Sequence, residues 1–591
     1  FLSQENREDF NLGFADDWNT NIITYIKLTP SASPKKASVV LNNIVKINQP
    51  QTASSRTIEL DPLEDYYRLT NRGAVNKMIN SLLVIMVFIL VLAIVNFVNI
   101  TTAASLSRMK EIGMRKAIGC IKRQVVAQFL LEAVIVAFLS GILALCSYQL
   151  LHGYIGEVLN EPLPGLNNLP IVFWLFVVLG LFLVGLMAGL YPAIWLSSTK
   201  TLDSLKGKLR SMNGTIGISR GLIAIQFSVA VFVFVANLII SQQVSYFSGI
   251  DLGYDKSNVL IVSSLPRLWN AEGFNKMETA KTEFESCNAV KSVSLSWGAP
   301  NYNFDPFSAK IYREGHGVLA TLSATDHNYA DVYGLNVIDG KFFFDNDDNY
   351  VPNRLVINES MQQALSLHVG DKVRMQFSEN EFTIAGIVKD FHFESLHAKV
   401  KPVAFTHTHD FQAYRYFSFK LHPGGLVSSI REIEDKWHKV FPNDPFDYAF
   451  TDERFPIIYK TEFQLRKASM IGGVVILCIV FTGVLGLVSL QVTKRSKEIG
   501  IRKVLGAPTH AIINLISHEY VVLMILAFMV SVPLSYFFCQ RWLSDFAYHI
   551  ELTWWMFALP VVSLFLTTVL IVIGQSTKAA SSNPVDMIRY E

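Results

Sequence analysis

Arg495–Gly506 reads RSKEIGIRKVLG, and in the other half of the chain Arg108–Gly119 reads RMKEIGMRKAIG. Eight of the twelve positions are identical, and both glycines stay in step. A charged pattern repeated at this length marks an internal duplication. The same offset sets Glu132 against Glu519. Weaker echoes extend it. TYIKLTP around Lys27 parallels FSFKLHP around Lys420, and TLDSLK (201–206) parallels PVDMIR (584–589). Asp61-Pro62 and a Tyr-containing stretch precede the apolar run of the first half, as Asp452 and Tyr459 precede that of the second.

Each motif follows an apolar run too long for an ordinary core helix. A bilayer core of about 30 Å takes roughly 20 apolar residues in a helix. Seven stretches meet that length: about 80–104, 125–150, 171–196, 221–243, 468–492, 511–539 and 555–575. The 591-residue chain is 51% hydrophobic and only 17% charged, against about 25% charged in soluble domains. The composition excludes a soluble enzyme.

Orientation follows from the basic loops. Loop 105–124 carries Arg108, Lys110, Arg115, Lys116, Lys122 and Arg123; loop 197–220 carries Lys200, Lys206, Lys208, Arg210 and Arg220. Loop 493–510 carries Lys494, Arg495, Lys497, Arg502 and Lys503, whereas 151–170 has no Lys or Arg and 540–554 only Arg541. The three basic loops and the C-terminus are therefore placed in the cytoplasm, and residues 1–79 and 244–467 outside. Nothing in residues 1–79 reads as a signal peptide. An outside N-terminal segment without one leads to the expectation of a further span upstream of Phe1, eight in all.

The expected fold is an α-helical membrane protein with α/β extracytoplasmic domains. It is built of two tandem repeats, each of one span, an outside domain and three spans. Residues 1–79 are read as the C-terminal part of the first outside domain, 80–196 as three spans, 197–220 as a cytoplasmic linker and 221–243 as the first span of the second unit. Residues 244–467 form the second outside domain, 468–576 three spans and 577–591 a cytoplasmic tail. Within 244–467 the sequence predicts strands at 259–264 and around Lys420, helices at 275–286 and 426–441, a strand then a helix over 354–365, and a hairpin over 371–393 with its turn at Ser378–Glu381.

Few residues outside the motifs suggest chemistry. His392, His397, Glu394 and Asp390 lie close in sequence but read as a solvated strand end. DNDDN (345–349) fails as a calcium loop, because Tyr350 and Val356 stand where Gly and Glu are needed. Cysteines 120, 146, 287, 478 and 539 have no metal-ligand spacing. Neither a catalytic nor a metal site is expected. Glu132 and Glu519, two turns inside their spans, read as interfacial pairing groups rather than proton relays. Asn96 and Asn99 are expected to bond neighbouring helices, and Gly185-x-x-x-Gly189 is a helix-packing signal. The chain contains no GxxxxGK[ST] phosphate loop, so ATP chemistry would belong to a partner.

KEIGIRKVLGA (497–507), its counterpart KEIGMRKAIGC (110–120) and the ending SSNPVDMIRYE (581–591) resemble FtsX/MacB-type permeases. QFSVAVFVFVANLIISQQVSYFSGIDLGYDKSNVLIV (226–262) is similar to the span and stalk that open such a unit, and GIVKDFHFESLH (386–397) resembles the Bacteroidota branch. The resemblance covers essentially the whole chain. One departure is that this chain looks like two four-span units in tandem with no fused ATPase. The resemblance implies an inner-membrane permease with a MacB-like periplasmic domain. It would have no cofactor of its own and would be driven by a separate ABC ATPase dimer. A periplasmic adaptor or outer-membrane component would accompany export, and nothing points to nucleic acid. Each motif suits a short helix at the membrane surface. Ile499, Ile501, Val504 and Leu505 would face the bilayer or the permease. The candidate coupling residues are Lys110, Glu111, Gly113, Arg115, Lys116 and Gly119, with Lys497, Glu498, Gly500, Arg502, Lys503 and Gly506. The competing function is an FtsX-like signalling or scaffold role controlling cell-wall hydrolases outside, which shares every motif above. One chain with two motifs would suffice for an ATPase pair; a homodimer with four is the alternative.

Overall fold

In a computed structural model, residues 25–29, 32–48, 58, 60, 62–107, 109–198, 213–266, 270–300, 307–343, 350–376, 378–506 and 508–581 are described. The parallel ends at 201–206 and 584–589 and the run 345–349 lie outside them. The chain divides into two compact units, one of residues 77–249 with 461–591, the other of 1–76 with 250–460.

The helices in chain order are α1 (Pro34–Asn48), α2 (Leu63–Ser107), α3 (Met109–Ala117), α4 (Lys122–Leu159), α5 (Ile171–Ser198) and α6 (Asn213–Gly249). The intervening domain holds β1 (Val259–Val262), α7 (Ala271–Glu285), β2 (Val290–Ser296), β3 (Phe307–Arg313), β4 (His316–Thr325), α8 (Tyr329–Tyr333) and β5 (Val337–Gly340). It continues with β6 (Arg354–Asn358), α9 (Glu359–Leu365), β7 (Lys372–Met375), β8 (Glu381–Val388), β9 (Val403–His407), α10 (Thr408–Phe411) and β10 (Tyr416–Leu421). It ends with α11 (Leu426–Val440), β11 (Tyr448–Phe450) and α12 (Thr451–Ile458), after which come α13 (Lys460–Val504), α14 (Thr509–Leu543) and α15 (Trp554–Ser581).

Seven of the described helices are long and apolar enough to cross a membrane. They fall on the seven stretches expected. The second repeat packs as a four-helix group, with Leu92 of α2 in the same core. Phe227, Val231 and Val235 of α6, Val480 and Val484 of α13, Met524 of α14 and Leu564 of α15 share one core. The first repeat packs differently, through small residues. A Cβ on Gly185 would lie 2.7 Å from the Val134 backbone, and one on Gly189 2.6 Å from the Ala133 side chain. The GxxxG signal on α5 is therefore a close approach to α4.

The intervening domain has one sheet in the order β11-β1-β10-β2-β4-β3-β7-β8-β6-β9, with β5 on β8. β9 also pairs in parallel with β4, so β4, β3, β7, β8, β6 and β9 close into a ring. Ile311, Leu322, Ile357, Val373 and Ile384 share a core with Met361 and Leu365 of α9. The open end of the sheet is covered by α7 and α11, where Phe284 stacks on Trp437 at 5.9 Å over Phe417 and Phe419. Within this domain each element expected from sequence is present. The β3–β4 hairpin, β2, β5, β9 and β11 are not among those expected. Glu314-Gly315 at the hairpin turn, with φ of 49° and 84°, carries the missed signal. Tyr25–Thr29, the counterpart of β10, forms no strand; β10 exists because β1 and β2 flank it.

A buried ion pair fixes α7 and the loop after β4. Lys281 Nζ lies 3.2 Å from Asp326 Oδ2, with side chains 4% and 1% exposed. The same carboxylate accepts from Ser294 Oγ at 2.6 Å and from the Leu295 amide at 2.9 Å. Asp326→Ala would take away the buried carboxylate that the Lys281 ammonium faces. It is expected to cost about 3 kcal/mol, read as earlier exposure of the buried Cys287 to alkylation in a urea series.

Candidate functional site

From Glu111 and Glu498 onward the two motifs have the same exposure pattern. Glu111 and Glu498 are exposed, Ile112 and Ile499 are buried at 5% and 0%, and Gly113 and Gly500 are buried beside them. Arg115 and Arg502 are exposed, Lys116 and Lys503 half-buried, and Gly119 and Gly506 exposed. One intrahelical ion pair recurs: Glu111–Arg115 at 2.5 Å and Glu498–Arg502 at 2.7 Å, each four residues apart. Such pairs steady a helix end by a few tenths of a kcal/mol and hold both charges toward water. Gly119 and Gly506 have φ of 105° and 86°, the left-handed conformation that ends a helix. Nothing lies within 4 Å of a Cβ built on either, so the backbone conformation selects glycine there. The side chains of Lys110 and Lys497 lie outside the described residues.

The first motif lies on α3, and Arg108, which alone stands between α2 and α3, is outside the described residues. The second does not form the expected short helix: it makes up the last turns of the continuous 45-residue α13. No proline separates Leu487 from Val504, and Gly500 alone does not break the helix. The apolar residues also divide: Ile499 is buried, whereas Ile501, Val504 and Leu505 are exposed.

Below the first motif, Glu111, Ile112, Arg115, Val125, Gln128, Phe129 and Glu132 line a pocket of about 280 Å³. Arg115 Nη1 donates to Gln128 Oε1 at 2.9 Å, and Gln128 Nε2 donates to Glu132 Oε1 at 3.2 Å. Lys116 Nζ donates to the Ser197 carbonyl at 2.8 Å, tying the motif to the end of α5. Burial first, and then the Lys122 charge, push the Lys116 ammonium below its usual range. In the second repeat, Glu519 pairs with Arg220 and accepts from Gln491 Nε2 at 3.0 Å. Both carboxylates are thus engaged by neighbours, as expected of interfacial groups. Asn96 Nδ2 reaches Thr482 Oγ1 on α13 at 3.4 Å. Asn99 departs from expectation: it is 1% exposed, and its side-chain atoms have no hydrogen-bond partner among the described residues.

The residues around His392 serve structural ends. Asp390 accepts from Asn358 Nδ2 at 2.7 Å and from the Ser360 amide at 2.9 Å, at the start of α9. Glu394 pairs with Lys401 at 2.8 Å, and the His397 ring stacks on Tyr459. Burial holds the His392 imidazole below its usual range, against the pull of Asp390 and Asp251. Its contribution is therefore complete above about pH 6.5 and lost as pH falls below that. His392→Gln is expected to flatten the acid-side loss of domain stability below about pH 6.5, measured by Cys287 alkylation.

A duplicated helical membrane protein with an α/β domain inserted before its last three spans, and one charged motif per half, is a tandem permease. Comparison with known proteins agrees. The model of the FtsX-like permease C-terminal domain matches twice, at residues 83–201 and 470–584, and that of the MacB-like periplasmic core domain matches 221–433. The uncharacterised ABC transporter permease YvrN of Bacillus subtilis is 32% identical over 111 residues, 18% of this chain and 25% of that protein. The macrolide export ATP-binding/permease protein MacB of Psychrobacter arcticus is 25% identical over 179 residues, 28% of this chain and 26% of that protein. The matches therefore span only about a quarter of those relatives' length. Among solved structures, the periplasmic region of MacB from Actinobacillus actinomycetemcomitans aligns at 14% identity over 34% of this chain and 91% of that one, with a TM-score of 0.26. The extracellular domain of YknZ aligns at 16% identity over 32% and 98%, with a TM-score of 0.24. The chain belongs to the FtsX/MacB-type ABC transporter permeases.

Proposed function

We propose that this chain is the permease subunit of a mechanotransmission ABC transporter of the inner membrane. A separate ATPase dimer binds ATP at the cytoplasmic face, and its closure displaces the two motifs. The spans carry that displacement to the periplasmic domain, where substrate is handled for export. ATP stays with the partner, and the permease contributes no cofactor.

The observation that supports this best is the matched pair of motifs. Positive charge alone would serve to anchor a loop at the cytoplasmic face. It would not require an acidic residue at the same place in both halves, paired to the same arginine and beside the same buried isoleucine and glycine. Alternating charge held outward in fixed geometry suits a protein surface more than an anionic bilayer.

The test is reconstitution in lipid with the copurifying ATPase. Addition of ATP is expected to change amide hydrogen exchange across residues 250–460. An exchange pattern unchanged by ATP, with turnover proceeding, would contradict the proposal.

A further inference from the structure

The matched carboxylates Glu132 and Glu519 accept from different glutamines. Glu132 connects through Gln128 to Arg115. Glu519 instead joins three helices. It sits on α14, pairs with Arg220 of α6, and accepts from Gln491 of α13 at 3.0 Å. Sequence explains the difference: the positions matching Gln128 and Gln491 are Leu515 and Ala104.

Gln491 lies one turn before the 495–506 motif on the same continuous helix, so a displacement of the motif reaches it directly. Arg220 lies where the α6 span begins. Further along, α6 is held to the same neighbours. Gln226 Nε2 donates to the Val480 carbonyl at 3.3 Å, and Ser228 Oγ donates to that of Ala527 at 3.3 Å. Near the far end, Gln243 donates to the Tyr548 carbonyl at 3.0 Å and accepts from the Ile550 amide at 2.9 Å. After α6 the chain runs straight into β1.

We propose that Glu519 is a positioning residue that couples movement of the 495–506 motif to α6, with Gln491 and Arg220 as its two grips. Apolar helix faces slide over one another at little cost. A carboxylate held by two directional, charge-assisted hydrogen bonds does not, least of all where the dielectric is low. The Glu519 side chain is only 15% exposed. The second half of the duplication is thereby the driving half for the domain that α6 leads into. This inference rests on the motifs being the ATPase-facing surface.

The experiment compares the unaltered complex with Glu519→Gln, Arg220→Gln and the exchanged pair Arg220→Glu with Glu519→Arg. The readouts are recovery of the ATPase and the ATP-dependent change in hydrogen exchange over residues 250–460. Both single variants are expected to recover the ATPase normally and to keep the ATP-free exchange pattern. They should lose the ATP-dependent change by about fivefold or more, and the exchanged pair should restore about half of it. A purely structural role would alter the ATP-free pattern as well. Persistence of the response in both single variants would overturn the inference alone, as would failure of the exchanged pair to restore it. Absence of any response in the unaltered complex would overturn both the inference and the reading beneath it.

Discussion

Glu111→Lys combined with Glu498→Lys is expected to separate this protein from its ATPase while leaving the permease inserted and its periplasmic domain folded. Each glutamate is exposed and, among the described residues, pairs with the arginine one turn along its own helix. Losing that pair costs the fold a few tenths of a kcal/mol per helix. The interface loses far more. Each substitution turns a motif of alternating charge into one of five cations. Groups that met the glutamates then meet lysines, and like-charge contacts across an interface cost several kcal/mol. Two such contacts would lower recovery of the ATPase by about 100-fold or more. Single variants should be milder, since one motif stays intact. Normal recovery and full activity of the double variant, at matched expression, would show that the motifs are membrane anchors.

Gly185→Leu is expected to be nearly as damaging, through packing rather than partnership. The Cβ alone would sit 2.7 Å from the Val134 Cα, a backbone atom that cannot rotate away. Helices α4 and α5 would have to part along a face also held by Gly189 and by Gly141, whose Cβ would meet Leu181 at 2.5 Å. Overpacking of this kind costs about 1–3 kcal/mol, and more when the backbone must move. Gly180→Leu is the matched control, because nothing lies within 4 Å of a Cβ there. The yield of monodisperse detergent-extracted protein should fall sharply for the first and stay unchanged for the second. Equal yields would contradict the close α4–α5 approach.

Most of the membrane architecture could be read from sequence because hydrophobic length and loop charge set it directly. The helix ends could not. The second motif was expected as a separate surface helix, yet α13 runs through it, since helix propensity over 488–504 never drops far enough to stop it. Asn99 was expected to bond across helices; position on a helix face does not say whether a partner stands opposite. The ion pair of Arg220 with Glu519 joins residues 299 apart in sequence. Arg220 had been counted only as one more positive charge in a cytoplasmic loop, and no local pattern distinguishes it. In the periplasmic domain, β7 alternates, and β1 is an apolar run buried throughout. β9, buried along its whole length, and the three-residue β11 carry no such alternation. The ring of six strands depends on the parallel pairing of β4 with β9, a long-range register that periodicity cannot supply.

The central proposal is that this permease is driven by a separate ATPase, through two motifs on one chain. Native mass spectrometry of the complex purified through the permease tests it most directly. The expected mass is that of one permease chain with two ATP-binding subunits. Two permease chains in the complex would contradict the single-chain arrangement, and a functional complex with no ATP-binding subunit would contradict the account itself.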